Sequence, residues 1–421
     1  MIDVTIPCPP LVPIRQHLPR PRLENVEVEA TQRVAPLLAH VQPGERIAIT
    51  AGSRGIRDIV PILRGVVRAV RQAGAEPLII GAMGSHGGGT AEGMRRILND
   101  LGITPDAVGA EVYTGNDVVG LGTTPSGLTV WCDRMAASCH AILLVNRIKM
   151  HTLFREPFGS GLQKMIVIGL GRVPMAEAIH RRGPANMPAA ISEVAAVALA
   201  SGKFLGGLAI VENGYEETAL LEAIPADRLA ERELALFEQA NALMPRLPVG
   251  KIDVLIVEEM GKNISGTGMD VNVTGRWRLR GVTDPPYPDV KRLVVLRLTP
   301  QSEGNATGLG CADITTEALF KSIDRRATYL NALTSTIVER VAIPMIMPTE
   351  QAAIAAALKT FGGDPAAARV VRIVNTLHLE ELWLTENLVA EALNGGDCEV
   401  VGPPRPLAYD ADGRLMPYTA S

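Results

Sequence analysis

Three short apolar runs decide the fold of this chain: ERIAIT at residues 45–50, PLIIGA at 77–82 and HAILLVN at 140–146. Each run is typical of a buried β-strand, and helical stretches near residues 56–74 and 90–102 separate the first runs from one another. Strands that are apolar throughout and alternate with helices indicate a parallel sheet that helices cover on both faces. The sequence therefore predicts an α/β fold with mostly parallel sheets.

A second series of the same kind follows a proline-containing segment, LMPRLPVGK at residues 243–251. Its strand-like runs are KIDVLIVEEM, VKRLVVLRL and ARVVRIV, and helices are predicted near residues 350–360 and 384–394. Two series with a break between them predict two α/β domains.

The predicted domains are residues 1–247 and residues 248–399. The first 43 residues are rich in proline and are expected to form an arm or edge strand of the first domain. The tail, residues 400–421, can belong to either domain, and we keep open that it returns to the first.

Composition narrows the class of partner. With 47% hydrophobic and 20% charged residues, the chain is globular in composition, and its net charge of -4 gives no reason to expect nucleic acid or an anionic membrane as partner. Its five cysteines form no C-x-x-C pair, and no apolar run approaches the roughly 18 to 20 residues that span a bilayer. We expect a cytoplasmic protein with a small-molecule ligand; a homo-oligomer is possible.

Polar side chains follow each of the first three runs. Arg54 comes after the first, His86 after the second, and Arg147, Lys149 and His151 after the third. In an open parallel sheet, the loops at the carboxyl ends of the strands converge where ligands bind. The sequence therefore predicts a small-molecule site in these loops, in the crevice between the two domains.

The loop around His86 reads GSHGGGT at residues 84–90. Its glycines, Gly87 and Gly88 among them, permit close approach of the backbone to a ligand, and the next helix offers free N–H groups to an anion. A plain turn, with Thr90 as the cap of that helix, explains the same residues about as well. This loop alone leaves both interpretations open.

Lys164 stands directly before the apolar run MIVIGLG, and His180 lies near the end of a predicted short helix with Arg181 beside it. Such a lysine can extend along the surface with its amine in water, or it can be a covalent anchor whose amine loses its proton readily. His180 and Arg181 fit a helix C-terminus, where positive charge is favourable, or a metal ligand beside a phosphate-binding arginine. Taken singly, these residues favour the structural interpretations.

Taken together, the segments resemble the lactate racemase family. In that family an arginine follows the first strand, a histidine lies in a loop with glycines and threonine, another histidine precedes a Ser-Gly-x-x-Lys-like element, and a further histidine comes later. The same order holds here for Arg54, His86, His151, SGLQK at 160–164 and His180. The interval of 16 residues between the lysine of SGLQK and His180 also matches the family's spacing.

The resemblance implies a nickel-pincer nucleotide, a pyridinium mononucleotide that holds nickel through two sulfurs and a carbon. It implies that Lys164 carries this cofactor covalently through a thioamide and that His180 is the protein's nickel ligand. His86 and His151 would then act as acid and base on the substrate hydroxyl, which suits imidazole because its unperturbed pKa lies near neutral pH. Arg54 would bind the substrate carboxylate.

The same resemblance assigns further contacts. The predicted cofactor contacts are Ser160, Gly161, Gly87, Gly88, Thr90 and Arg181. The predicted substrate contacts in the second domain are Lys262, Arg276 and Tyr329, with Asn272 as a neighbour. For some of these second-domain residues, an ordinary place in a solvated loop is the alternative. The expected partners are a 2-hydroxy acid and the enzymes that make the cofactor.

The chain also departs from the family pattern. Ala51 stands where the family usually has an acid, so a contact to substrate or cofactor is missing or supplied elsewhere. The interval from His151 to Lys164 is longer than in lactate racemase. Segments such as SGLQKMIVIGLG indicate a separate branch of the family, whose substrate need not be lactate.

The predicted function is racemisation or epimerisation of a 2-hydroxy acid, by hydride transfer from C2 to the cofactor. One alternative is a metal-free lyase or isomerase in which Lys164 forms a Schiff base. Another is a relative that binds a nucleotide or hydroxy acid without catalysis. A nicotinamide dehydrogenase is disfavoured, because no Gly-x-Gly-x-x-Gly follows the first strand with an acidic residue at the end of the next.

Overall fold

The computed structural model describes residues 6–150, 160–183 and 185–417. These divide into two compact units. The N-terminal unit runs from Pro19 to Met244, and the C-terminal unit contains the described residues up to Leu18 together with those from Pro245 onward.

The secondary structure alternates between strands and helices along the chain. In chain order the strands are β1 (Leu11–Gln16), β2 (Arg46–Ala51), β3 (Glu76–Gly81), β4 (Glu111–Tyr113), β5 (Val118–Thr123), β6 (Thr129–Asp133), β7 (Ala141–Arg147), β8 (Phe204–Glu212), β9 (Thr218–Pro225), β10 (Lys251–Met260), β11 (Asp289–Leu298), β12 (Ile314–Thr316), β13 (Met345–Met347), β14 (Val370–Ile373), β15 (Glu381–Thr385) and β16 (Cys398–Val400). The α-helices are α1 (Val26–Val34), α2 (Ile59–Gln72), α3 (Ala91–Asp100), α4 (Pro105–Val108), α5 (Arg134–Ser138), α6 (Leu162–Lys164), α7 (Arg172–His180), α8 (Met187–Ala200), α9 (Leu229–Ala242), α10 (Val271–Thr274), α11 (Glu317–Lys321), α12 (Arg325–Ser335), α13 (Glu350–Thr360) and α14 (Glu386–Leu393). A π-helical segment, Met165–Leu170, continues α6.

The N-terminal unit is built on a sheet with the strand order β4-β3-β2-β7-β8-β9. All of its strands run parallel except β9, which is antiparallel to β8. This confirms the parallel arrangement predicted for the first three apolar runs. The chain passes from β2 to β3 and β4, then returns to β7 on the other side of β2, so the strand order reverses between β2 and β7. A ligand-binding crevice is expected beyond the carboxyl ends of the strands at this point.

Helix α2 shows how apolar spacing covers this sheet. Its apolar residues recur every three or four positions, and Ile59, Ile62, Leu63 and Val66 are buried in one cluster with Ile49 of β2. Burying each such side chain contributes roughly 1.5–3 kcal/mol, so apolar contact holds the helix on the sheet. Four of the helices predicted from the sequence are α2, α3, α13 and α14, each within a few residues of the expected bounds, and the predicted short helix before His180 is α7.

The C-terminal unit has a sheet with the order β13-β12-β11-β10-β14-β15-β1-β16. The strands from β13 to β14 in this order are parallel, and β15, β1 and β16 continue the sheet in antiparallel fashion. Helix α13 packs its alanine-rich face into the core of this unit. The molecule is thus an α/β protein with mostly parallel sheets, as predicted. In the described part of the chain, no helix has both the length and the apolar character needed to cross a membrane.

Strand β1 differs from the prediction for the first 43 residues. It lies between β15 and β16 and pairs with both, and its residues Leu11 and Ile14 are fully buried. The described residues up to Leu18 therefore belong to the C-terminal unit and not to the first domain, and β16 places the start of the tail in the same sheet. The physical reason is that both ladders satisfy the backbone N–H and C=O groups of β1. The division at Pro245 lies near the predicted boundary.

Candidate active site

The loops that follow β2, β3 and β7 lie at one edge of the N-terminal sheet. In register, Ala51 of β2 is opposite Gly81 of β3, and Ile49 of β2 is opposite Leu143 of β7. Because the three strands are parallel neighbours, their carboxyl ends bring the next residues together. The structure thereby gathers the loops that the sequence singled out.

His86 is joined to the neighbouring loop through its ring. Its Nδ1 forms a hydrogen bond with the hydroxyl of Ser53, which directly precedes Arg54. The loop that carries His86 is fixed by its backbone, since the N–H of Gly84 donates to the carbonyl of Gly169, 3.2 Å away. Gly84 has φ +61, and a Cβ there would lie 2.9 Å from Cγ2 of Ile168. The His86 loop therefore packs directly on the π-helical segment that follows Lys164.

Lys164 ends α6, whose first turn is held from two sides. The side-chain amide of Asn146, at the end of β7, donates to the carbonyl of Gly161 over 2.7 Å. The backbone N–H of Gln163 donates to Oε2 of the buried Glu233 over 3.1 Å. A Cβ on Gly161 would overlap the carboxylate of Glu233, so this position requires glycine. The glycine of the Ser-Gly-x-x-Lys element thus has a packing role that the sequence did not reveal.

The electrostatics of this edge favour a neutral lysine. Burial, and to a smaller extent the positive charge of Arg54, lower the pKa of Lys164 to about 7. Burial also raises the pKa of Glu233 to about 7, although the hydrogen bonds that this carboxylate accepts from α6 act to lower the pKa. A substantial fraction of the Lys164 amines is therefore deprotonated at neutral pH, which is the nucleophilic form.

His180 ends α7, as the sequence predicted, and its ring nitrogen has an unusual environment. Nδ1 is buried, and within the described ranges it has no hydrogen-bond partner. Burial, with the charge of Lys164 as the second cause, lowers the pKa of His180 to about 4. The imidazole is therefore neutral at physiological pH and keeps a polar atom that the described protein groups leave unsatisfied. That is the state required of a histidine metal ligand.

A buried ion pair positions the helix that carries His180. Arg172, the first residue of α7, and Asp133, the last residue of β6, are both fully buried, with 2.6 Å between Nη2 of the arginine and Oδ2 of the carboxylate. The same guanidinium also donates to the carbonyl of Gly81 at the end of β3. Arg172 has φ +56, a left-handed conformation that is uncommon for residues other than glycine. The pair therefore fixes α7 against the sheet edge.

The predicted cofactor contacts of the glycine loop have internal roles. Thr90 caps α3, accepting a hydrogen bond from the N–H of Gly93 over 3.0 Å and donating to the carbonyl of Gly87. Gly87 and Gly88 both have positive φ, and only Gly88 has open space where a Cβ would stand. The cap that the sequence offered as an alternative is present, and binding of a phosphate by this loop stays a prediction.

Ser160 and Arg181 also have partners in the structure. Ser160 and Lys149 exchange two backbone hydrogen bonds, of 2.7 and 2.9 Å. Arg181 is exposed and pairs with Glu177, one turn earlier in α7, over 3.1 Å. This surface pair matches the structural interpretation of Arg181. His151 lies outside the described residues.

The predicted substrate contacts of the second domain lie in the C-terminal unit. The amine of Lys262 donates to Asn331 and to the carbonyl of Gly266, both over 2.6 Å. Arg276 donates to two backbone carbonyls of β11 and forms an ion pair with Asp313 over 2.9 Å. Its guanidinium holds this unit together through these contacts, and binding of the substrate by Arg276 stays a prediction. Tyr329 is exposed, and Asn272 bonds to Asp270.

The structure adds residues that the sequence did not assign. Arg147, at the end of β7, forms an ion pair with the buried Glu212 at the end of β8. The pKa of Arg54 is lowered first by burial and second by the positive charge of Arg147. The backbone N–H of Arg57 donates to the same Glu212 over 3.0 Å. This carboxylate therefore ties the loops after β2 and β7 together. In the ranges that the structure describes, no three His, Cys, Asp or Glu side chains are grouped as a metal site.

The fold and the site define an α/β protein with a polar site at the switch point of its N-terminal sheet. Residues 28–190 match the family model of the lactate racemase N-terminal domain. This range contains Arg54, His86, Lys164 and His180. Over this range the chain is similar to the lactate racemase family, in agreement with the resemblance seen in the sequence.

Two solved structures are similar to the chain. The lactate racemase apoprotein from Thermoanaerobacterium thermosaccharolyticum has a TM-score of 0.50 and 13% identity, over 86% of this chain and 98% of that chain. A protein from Thermotoga maritima has a TM-score of 0.45 and 14% identity, over 64% of this chain and 70% of that chain. At 13% identity, the first likeness shows a shared α/β fold and nothing finer. No curated protein matches the chain.

Proposed function

We propose that this protein is a racemase or epimerase of a 2-hydroxy acid that works with a nickel-pincer nucleotide. The observation that carries the proposal is the combination of Lys164 with His180, whose pKa the lysine charge lowers. The lysine has a pKa of about 7, and the histidine has a buried Nδ1 without a hydrogen-bond partner among the described groups. Both lie within the range that matches the lactate racemase domain.

The residues of this edge fit the cofactor chemically. A histidine binds a metal only through an unprotonated nitrogen, and the pKa of about 4 keeps His180 in that form. Covalent attachment to a lysine requires a neutral amine, which the lowered pKa of Lys164 supplies. In our proposal Lys164 anchors the nucleotide and His180 binds its nickel. When bound, this group supplies an acceptor for the hydride that leaves C2 of the substrate.

The remaining side chains bind the substrate and move its proton. Arg54 is proposed to bind the substrate carboxylate in a bidentate fork. His86 is proposed to act as the base that takes the hydroxyl proton when one enantiomer reacts. When the other enantiomer reacts, His86 is proposed to act as the acid that returns a proton to the hydroxyl oxygen of the product. His151 is proposed to serve the opposite face. The role of Lys262 in substrate binding and the location of the site between the two domains stay predictions.

A second candidate is a metal-free lyase or isomerase in which Lys164 forms a Schiff base. The same lowered pKa favours it, since a neutral amine is also what attacks a carbonyl carbon. The orphaned nitrogen of His180 has no use in this alternative. Borohydride trapping of a carbonyl substrate on Lys164 in cofactor-free protein would support it.

The deciding experiment is intact-mass and nickel analysis of the protein made together with the enzymes that synthesise the cofactor. We expect an added mass on the peptide that contains Lys164 and about one nickel per chain. Lys164→Ala should lose both, whereas Lys359→Ala, at an exposed position on α13, should keep both. His180→Ala should keep the added mass and lose nickel. If the wild type carries neither mass nor nickel while a control enzyme is loaded, the proposal is wrong.

A further inference from the structure

We propose that Ser53 is a positioning residue that fixes which ring nitrogen of His86 carries the proton. The hydroxyl of Ser53 forms a hydrogen bond with Nδ1 of His86. The contact joins the loop after β2 to the loop after β3, the two strands being neighbours in register. This inference rests on the proposed function, in which His86 exchanges a proton with the substrate.

The chemical argument starts from the two nitrogens of a neutral imidazole. Only one of them carries a proton, and the partner of one nitrogen decides the state of the other. When Nδ1–H of His86 donates to the hydroxyl oxygen of Ser53, Nε2 is unprotonated and is the base. After Nε2 takes the hydroxyl proton of the substrate, both nitrogens are protonated and Nδ1–H still donates to Ser53. When Nε2 returns the proton, this hydrogen bond again stays unchanged.

A hydroxyl suits an enzyme that runs in both directions. An acid beside Nδ1 would favour the doubly protonated ring, because its negative charge stabilises the positive one. A hydroxyl accepts from the neutral and the protonated ring alike without adding charge. Ala51, three residues before Arg54, supplies no side-chain acceptor of its own at the end of β2. We therefore assign the orientation of His86 to a neutral group.

Neighbouring segments restrain both partners of this contact. A Cβ on Gly52 would lie 3.3 Å from Cε of Met165, so the segment before Ser53 is packed against the π-helical segment. On the other side, the N–H of His86 donates to the carbonyl of Met83 over 3.1 Å. A hydrogen bond between two restrained loops is preorganised, and its loss frees the ring to adopt the other tautomer.

The first test is the ¹⁵N spectrum of histidine-labelled, cofactor-free, full-length protein. The signals of His86 are assigned by their loss in His86→Gln. Above the pH at which the ring titrates, we expect the Nδ1–H tautomer in the wild type and in Ser53→Thr, which keeps the hydroxyl. Ser53→Ala should shift the ring to the Nε2–H tautomer, and so should Ser53→Cys, since a thiol is a weak acceptor.

Ser85→Ala, next to His86 in the same loop, is the matched control and should behave as the wild type. The proposal is overturned if Ser53→Ala and Ser53→Cys keep the wild-type tautomer. It is equally overturned if the wild type already carries its proton on Nε2. Two variants are used so that a failure of one to fold leaves the other to decide.

The second test uses the cofactor-loaded enzyme. Ser53→Ala should lower kcat by about tenfold or more and leave KM nearly unchanged, because Ser53 acts through a proton-transfer group and not on substrate binding. Ser53→Thr should retain most of the activity. A change confined to KM would overturn the proposal. If the loaded wild type racemises no 2-hydroxy acid, the proposed function fails, and the ¹⁵N spectra still decide the role of Ser53.

Discussion

Lys164 should titrate near neutral pH, and this can be measured without cofactor or substrate. Burial and the charge of Arg54 lower the pKa of its amine to about 7. At pH 7 about half of such amines are neutral, against about one in 2,500 for a lysine with the ordinary pKa near 10.4. The reaction of Lys164 with an amine-directed acylating reagent should therefore rise between about pH 6 and 8 and then level off.

The assay is competitive labelling followed by mass spectrometry of the peptide that contains Lys164. The protein is exposed to a small amount of reagent at a series of pH values, unfolded, and labelled to completion with an isotopically heavy form. Arg54→Gln removes the second cause of the shift, so the midpoint should move to higher pH. Arg57→Gln, at an exposed position in the same loop, is the control and should leave the midpoint where it is.

Two results would refute this reasoning. Labelling of Lys164 that keeps rising about tenfold per pH unit up to pH 10 would mean that the amine has an ordinary pKa. A midpoint that Arg54→Gln leaves unchanged would mean that the arginine is too far away to act on it. Either result would remove the electrostatic argument for Lys164 as an anchor.

Three predictions concern stability. Gly161→Ala should cost roughly 1–3 kcal/mol in thermal unfolding, because a methyl group there would overlap the carboxylate that bonds to α6; Gly55→Ala, with open space around it, should cost little. In chemical denaturation, Arg172→Met should cost roughly 3–5 kcal/mol, since Asp133 stays buried without its partner, and adding Asp133→Asn should recover part of the loss. Lys164→Met should stabilise the protein by roughly 2–4 kcal/mol below pH 7, because folding lowers the pKa of the amine; the gain should shrink as the pH rises from about 7 and vanish near 10.5. The first prediction is wrong if both glycine variants lose the same stability, and the second is wrong if the double variant is no more stable than Arg172→Met. The third is wrong if the stability that Lys164→Met gains does not change with pH.

The N-terminal sheet could be predicted from the sequence because its strands are buried on both faces and are apolar throughout. Strand β1 could not be predicted in the same way. It contains Pro13 and Arg15, reads locally as an arm, and is a strand only through its pairing with β15 and β16. That pairing depends on residues far along the chain, which no local pattern encodes.

Part of the candidate site could be predicted from the order and spacing of polar residues. The loops of Arg54 and His86 converge, and the charge of Lys164 acts on His180. Glu233 could not be found, because it lies within the ordinary helical pattern of α9 and only the fold brings it to α6.

Other assignments were ambiguous because one residue type serves two purposes. Thr90 caps a helix, as threonine does at many helix starts. The surrounding sequence does not show whether Thr90 also binds a phosphate. Arg276 was predicted to contact substrate, and the structure shows that it also binds backbone carbonyls and Asp313. A sequence shows that a positively charged side chain is present, but it does not show which acceptor that side chain binds.

The place of β1 has a consequence for the order of folding during synthesis. Residues 19–244 form one continuous segment, so we expect the N-terminal unit to fold as soon as that segment has left the ribosome. Strand β1 must wait much longer, since Leu11 pairs with Thr385, which lies 374 residues further along the chain. Until then, the buried face of β1 has no sheet to join, and this segment is the one we expect chaperones to bind.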